Sequence, residues 1–258
     1  MIMPLTRKKR FGISYLCQPL ICQQLGVFST IHHAPFCIDD FIEAIPSKFK
    51  LIDIAINSMN YLSPKNHFGK ITQVFNQELP LSDRYEDIRS RYKASHVKNL
   101  EKFTTQKLKV EISGDTLDHF LKHKFDFFSK KGVEMSDSQR ITFTNLLKYL
   151  DAESKIDVVL GFDNQHVVIG GACFIFLEGS VLIQTFSNDI GRKSGLIFFL
   201  IDDFVRKNAG RELILDFMGS SITGINYRNA GFGCVDKEYT FLSIDRLPPL
   251  VRFFRKRA

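Results

Sequence analysis

The residue types of group-transfer chemistry gather in one stretch, Val181 to Phe232. A glycine-bounded basic loop, Gly191-Arg192-Lys193-Ser194-Gly195, separates a run fit for a buried strand from an apolar run fit for a helix. Amides at the start of a helix have no intrahelical acceptor and sit at the positive end of the helix dipole, so such a junction can hold a phosphate by main chain alone. Arg192 and Lys193 would add charge. Further on, Asp216 ends a second strand-like run, and Tyr227 stands four residues before Gly231-Phe232, with Ser220 and Asn226 in between. A phenol at a cleft can protonate a departing thiolate or ribose oxygen, and a carboxylate can act as base toward an amine or orient it. Each residue also has a plainer reading. The loop can be a helix-start turn capped by Ser194, with Asp189 repelling any anion. Tyr227 can be an amphipathic core residue, Asp216 can bond the next loop, and Ser220 and Asn226 can be turn or capping residues.

The surrounding composition is that of an ordinary globular chain. Its 258 residues suffice for one large domain or two small ones, with 44% hydrophobic and 24% charged residues. Lys+Arg 35 against Asp+Glu 28 gives a net charge of +7, which suits a phosphate-bearing ligand, RNA or an anionic membrane surface without choosing among them. The apolar run from Leu196 stops at Asp202-Asp203, well short of the ~20 residues of a membrane span. No long apolar segment follows Arg7-Lys8-Lys9-Arg10, so neither a transmembrane helix nor a secretory signal is expected. Cysteines 17, 22, 37, 173 and 234 show no disulfide-framework spacing, and a cytoplasmic location is expected. Cys17, Cys22, His33 and Cys37 superficially suggest zinc, but residues five apart on a strand face opposite sides, and no metal is expected. The basic tail, Arg252 to Arg257, is a candidate for peripheral contact with a membrane surface or RNA phosphate, or is a solvated chain end.

The elements that must position these residues follow from periodicity and breakers. Residues 11–18 and 20–28 read as extended segments around Pro19, residues 39–45 as a helix ended by Pro46, and FKLIDIAIN from Phe49 as a strand. A long basic helix is predicted over 83–107, its stripe running through Tyr85, Ile88, Tyr92, His96, Asn99 and Phe103. The polar pair His96 and Asn99 interrupts that stripe, and either lines a substrate cleft between domains or packs in a hydrogen-bonded interface. A boundary near Ser113-Gly114-Asp115 precedes a helix from Thr116 with Leu117, Phe120, Leu121, Phe125 and Phe128 inward. A second helix, 136–150, is expected to turn Ile141, Leu146, Leu147 and Leu150 inward. Strands 156–162, 167–177 and 180–186 then form a meander, followed by the Gly191 loop, a helix, a strand at 212–217, a short helix and a last strand at 239–244.

That order resembles the core of the GNAT acyltransferases, with Tyr227 at the family's Tyr-x-x-x-Gly-Phe position. The loop keeps only the Gly-rich, basic character of the family's phosphate loop. Tyr92-Lys93-Ala94-Ser95-His96-Val97-Lys98-Asn99-Leu100-Glu101-Lys102 is similar to the basic helix of Fem-like transferases, which carry two tandem GNAT domains. Gln23 to Phe28 and Leu215 to Ser220 also resemble uncharacterised bacterial relatives of that group. The resemblance implies an α+β fold, a mixed sheet flanked by helices, in two tandem GNAT-like lobes of which the first is incomplete. The implied organisation is a partial lobe over 1–82, a connecting helix over 83–112 and a complete GNAT-like domain over 113–258. It also implies an N-acyltransferase that moves an acyl or aminoacyl group from acyl-CoA or aminoacyl-tRNA to a small-molecule or peptide amine. The donor would lie at Gly191 to Gly195, with tRNA as a partner in the second case. The acceptor would enter between the lobes near Asp216 and Tyr227. Met218 stands where such relatives often show Glu, which leaves an alternative: a binding module that keeps the fold without the chemistry.

Overall fold

The computed structural model describes residues 1–19, 22–31, 34–64, 67–105, 108–111, 116–218, 223–248 and 252. In chain order the elements are β1 (Arg7–Arg10), β2 (Ile13–Cys17), β3 (Phe36–Cys37), α1 (Asp39–Glu43), β4 (Phe49–Ile56), β5 (Asn60–Tyr61) and β6 (Lys70–Pro80). They continue as α2 (Tyr85–Ser90), α3 (Ala94–Thr105), β7 (Lys109–Glu111), α4 (Thr116–Lys130), α5 (Asp137–Ala152), β8 (Ile156–Phe162), β9 (Val168–Leu177) and β10 (Ser180–Ser187). The chain then forms α6 (Asp189–Ser194), α7 (Leu196–Asn208), β11 (Ile214–Asp216), α8 (Thr223–Ala230) and β12 (Val235–Asp245). Contacts divide it into two units: Met1–Asn76 with Lys237–Ala258, and Gln77–Asp236.

In the first unit the strands lie in the order β1-β2-β4-β12-β6. Strand β4 sets its core, because Ile52, Ile54 and Ile56 recur at the period of two that places side chains on one face, and all three are fully buried. Leu16, Val27, Ile38, Ile42, Leu242 and Ile244 pack in the same cluster. Each such side chain contributes about 1.5–3 kcal/mol on burial.

In the second unit β11 pairs antiparallel with the end of β6 and parallel with β10, while β10, β9, β8 and β7 form an antiparallel meander. Helix α7 covers one face. Its Leu196, Leu200, Ile201, Phe204 and Val205 fall at helical spacing and are buried, with Phe204 stacked on Phe174 of β9 at 3.9 Å between ring centroids. On β10, Val181 and Ile183 join this cluster, whereas Phe186 lies on the opposite side of the pleat and meets Phe120 of α4 at 5.4 Å. A mixed sheet flanked by helices, as the sequence implies, is therefore observed.

Several elements differ from their sequence-based expectation. The helix predicted over 83–107 is two helices, because the Lys93 amide leaves the helical ladder to donate to Gly231 O at 2.9 Å. Its carbonyl then accepts from His96 and Val97, starting α3 anew. The stripe survives the break: Ile88, Tyr92, His96 and Phe103 are all buried. Helix α5 starts as expected, with Ser136 and Gln139 in a reciprocal capping box, but it buries Phe143 and Leu147. Ile141, two and six residues from that pair, is 59% exposed, and Leu146 is 50% exposed although it stands three residues from Phe143. Strand β6 has no counterpart in the sequence reading. Residues 83–112 lie within the second unit, and 237–258 belong with the first, so the contact division does not follow the expected boundaries. The Ser113 boundary, His33, and the tail other than Arg252 lie outside the described residues. Arg252 itself pairs with Asp245 at 3.3 Å.

Candidate functional site

Strands β10 and β11 pair only from Ser180 to Leu182 against Ile214 to Asp216, after which β10 runs on to Ser187. A half-open cleft of about 270 Å³ in this unit is lined by Ser187, Gly191, Arg192, Gly195, Ile197, Phe198, Gly224, Tyr227 and Arg228. It joins the expected anion-binding segment and the expected acid in one wall.

The segment is built differently from a bare loop. Gly191 to Ser194 belong to helix α6, whose cap Asn188 accepts the Gly191 amide on Oδ1 at 2.9 Å. Ser194 is buried and donates its hydroxyl to Gly191 O at 2.9 Å, so it closes its own turn and caps neither helix. Arg192 is tied to Asp189 at 3.0 Å, and Lys193 is exposed. Gly195, at φ 82°, ends α6 and begins α7. A side chain there would be strained, and a Cβ would also stand 2.5 Å from Asn99 O of α3. Helix α7 has no side-chain cap, and the amides of Leu196, Ile197 and Phe198 meet no hydrogen-bond acceptor among the described residues. The open donors thus lie one turn later than the sequence reading places them, because Asn188 reaches the earlier one first.

Tyr227 on α8 is 62% exposed, with the Lys93 ammonium 6.0 Å from its ring centroid. Beside it Arg228 is half-buried. Its Nη1 donates to Thr185 Oγ1 at 3.2 Å, and its Nε and Nη2 donate to Asn229 Oδ1 at 3.0 and 2.8 Å. Lys124 of α4 is only 4% exposed and donates from Nζ to Thr185 O at 2.7 Å. Burial first, and then Arg228, pushes the Lys124 ammonium down to about 7, while burial brings Arg228 down to about 10. Neither cation has a carboxylate partner among the described residues. Lys124 escaped the sequence reading although it sits on the stripe of α4, four residues from both Phe120 and Phe128. A lysine at that register was the available signal.

The other expected residues divide. His96 is buried edge-on against Phe198 and Phe232 and does not line the cleft. Its Nε2 faces Arg228 O at 2.6 Å, which fixes the proton on that nitrogen, since a carbonyl only accepts. Burial lowers its pKa. Asn99 donates to Ser95 O and meets the site through its backbone against Gly195. Asp216 accepts the Met218 amide at 2.9 Å, closing a turn at the end of β11, and Asn226 is half-buried on α8. Met218 itself is buried at φ 50°, with Gln184 Nε2 3.6 Å from its sulfur. Ser220 lies outside the described residues. Among the described residues no three potential metal ligands gather, and no helix is long and apolar enough to cross a membrane.

No family model and no curated protein matches the sequence. Solved structures do match. FemX superposes with a TM-score of 0.59 at 11% identity, over 97% of this chain and 86% of that one. L-PGS from Bacillus licheniformis gives 0.53 at 10%, over 98% and 84%. The C-terminal domain of a protein named as a lysylphosphatidylglycerol synthetase from Agrobacterium fabrum gives 0.55 at 10%, over 98% and 83%. The fold is GNAT-like and of the Fem type. At these identities the likeness establishes the Fem-type architecture and leaves donor and acceptor to the chemistry of the cleft.

Proposed function

We propose that the chain is an N-acyltransferase, moving an acyl or aminoacyl group from a phosphate-bearing carrier to an amine. The observation that carries this reading is one cleft lined both by Ile197 and Phe198, whose amides at the start of α7 are uncommitted, and by the exposed hydroxyl-bearing ring of Tyr227. The carrier's phosphate would lie against Leu196 to Phe198, with Arg192 at the rim. Gly191 and Gly195 keep backbone close to it. The acceptor amine would approach from the Asp216 end of β11, with Asn226 on that side, and Tyr227 would protonate the departing thiolate or ribose oxygen. His96 and Asn99 act indirectly, seating α8 and the α6–α7 junction. Both carriers present a phosphate, at the far end of the pantetheine arm from the thioester in acyl-CoA and next to the ester in aminoacyl-tRNA, and the chain's positive charge suits either.

Equilibrium binding of acetyl-CoA and of an aminoacyl-tRNA mixture to the full chain tests the reading. One of them is expected to bind at micromolar concentration, and failure of both removes the donor. With the binding donor and a panel of amines, Tyr227→Phe is expected to lower kcat about 100-fold or more, the usual contribution of a positioned acid. Its stability should shift by no more than about 0.5 kcal/mol, as for an exposed side chain. A second reading, binding without turnover, is favoured by Asp216, whose Oδ1 serves the Met218 amide, and by Met218 itself. Donor binding with no transfer to any amine would support it.

A further inference from the structure

Two cations meet at one threonine. Thr185 lies past Leu182, where the pairing of β10 with β11 has ended. Its side chain shares the face of Val181 and Ile183, against α7, and accepts from Arg228; its carbonyl accepts from Lys124, which belongs to α4 on the other face. A buried ammonium and a half-buried guanidinium are thus brought to one residue from the two sides of the sheet. The acceptors they hold there are neutral: a carbonyl, a hydroxyl and an amide oxygen. Residues 219–222, which the structure does not describe, are Gly-Ser-Ser-Ile and bring no acid. Like charges drawn out of water are unfavourable unless a counter-charge joins them, and Arg228 opens onto the cleft through which one can arrive.

We propose that Lys124 and Arg228 form a site for one oxyanion, a phosphate or carboxylate group, on β10 beyond its pairing with β11. Arg228 lines the same cleft as Ile197 and Phe198, and Lys124 reaches Thr185 from the opposite face of the sheet. On the transfer reading above, the anion is an acidic group of the acceptor, which fixes the amine beside Tyr227. The site itself does not depend on that reading.

The test is an NMR titration of the full chain labelled with 13C-lysine. The Lys124 resonance is the one lost in Lys124→Met; should that variant not fold, Lys124→Arg gives the same assignment and keeps the charge. Inorganic phosphate and acetate are added separately at constant ionic strength, with chloride as control. One of the two is expected to shift the Lys124 resonance saturably, and the tighter one assigns the class as phosphate or carboxylate. Arg228→Gln is expected to weaken that binding about tenfold, the loss of one charge-assisted partner. No saturable shift from either anion up to ~0.1 M, where the Debye length is still about 10 Å, overturns the site. So does saturation that Arg228→Gln leaves unchanged. Because neither donor nor turnover enters this measurement, its failure and that of the acyltransferase reading are told apart.

Discussion

Gly231→Ala is expected to destabilise the chain by about 3 kcal/mol, at the upper end of overpacking costs. A Cβ at this position would fall inside contact distance of the whole His96 ring. The ring has nowhere to retreat: Phe198 and Phe232 hold it edge-on at 4.8 and 4.9 Å, and Arg228 O fixes Nε2. Accommodation must therefore come from the backbone between α8 and β12, which directly follows the helix that carries Tyr227 and Arg228. Gly132→Ala is the control, because Gly132 has positive φ (72°) and open space around it. That substitution should cost about 1 kcal/mol, the strain of a left-handed alanine alone. Urea unfolding of both variants, followed by two spectroscopic probes, measures the difference. A loss at Gly231 no larger than that at Gly132 would refute the predicted clash with the His96 ring.

The residues explain which parts of the fold were legible. Strand β4 and helix α7 bury apolar side chains at periods of two and 3.6, so local pattern and tertiary role agree. Strand β6 disagrees with itself: Gln73, Asn76, Gln77 and Glu78 read as loop, yet Asn76 and Gln77 are buried. Asn76 accepts from Gln23, fifty-three positions away, a partner that no window could contain. The break at Lys93 likewise depends on Gly231 O, remote in sequence. At the site, Tyr227 and the glycine-bounded segment were readable from their spacing. That Asn188 would occupy the first open amide, and that Lys124 and Arg228 would converge on Thr185, required the sheet to be assembled first.

The stability of the chain is expected to rise by about 2 kcal/mol between pH 7 and 9, from Lys124 alone. Its ammonium titrates near 7 in the folded chain and at the ordinary lysine value of 10.5 when unfolded. Between these the unfolded chain binds the extra proton, so folding is favoured as pH rises, by up to ~1.4 kcal/mol per unit. Arg228 from α8 and Cys173 from β9 are the charged or titratable groups acting on it. His96 and His123, also lowered by burial from 6.5, act in the same direction and mainly below this window. Above pH 9 the sign turns for Cys173, whose thiol burial pushes up to about 12, and for Cys234, raised in the same way. Each keeps its proton when folded and loses it when unfolded, which erodes stability. Lys124→Met should remove the rise between 7 and 9. Urea midpoints at both pH values, in buffers without phosphate or carboxylate, measure it; parallel slopes for the two proteins would refute the assignment.

The first unit is closed by β12, where Thr240 to Asp245 pair with Ile56 back to Leu51. Translation therefore delivers the whole of Gln77–Asp236 before the strand that completes Met1–Asn76 exists. Until then Ile52, Ile54 and Ile56 lie on an unpaired edge, the kind that invites pairing with a neighbouring chain. The second unit holds all of its own sequence and can mature on the ribosome. The earlier-made unit must wait for the latest-made residues, and synthesis order and folding order run in opposite directions along this polypeptide.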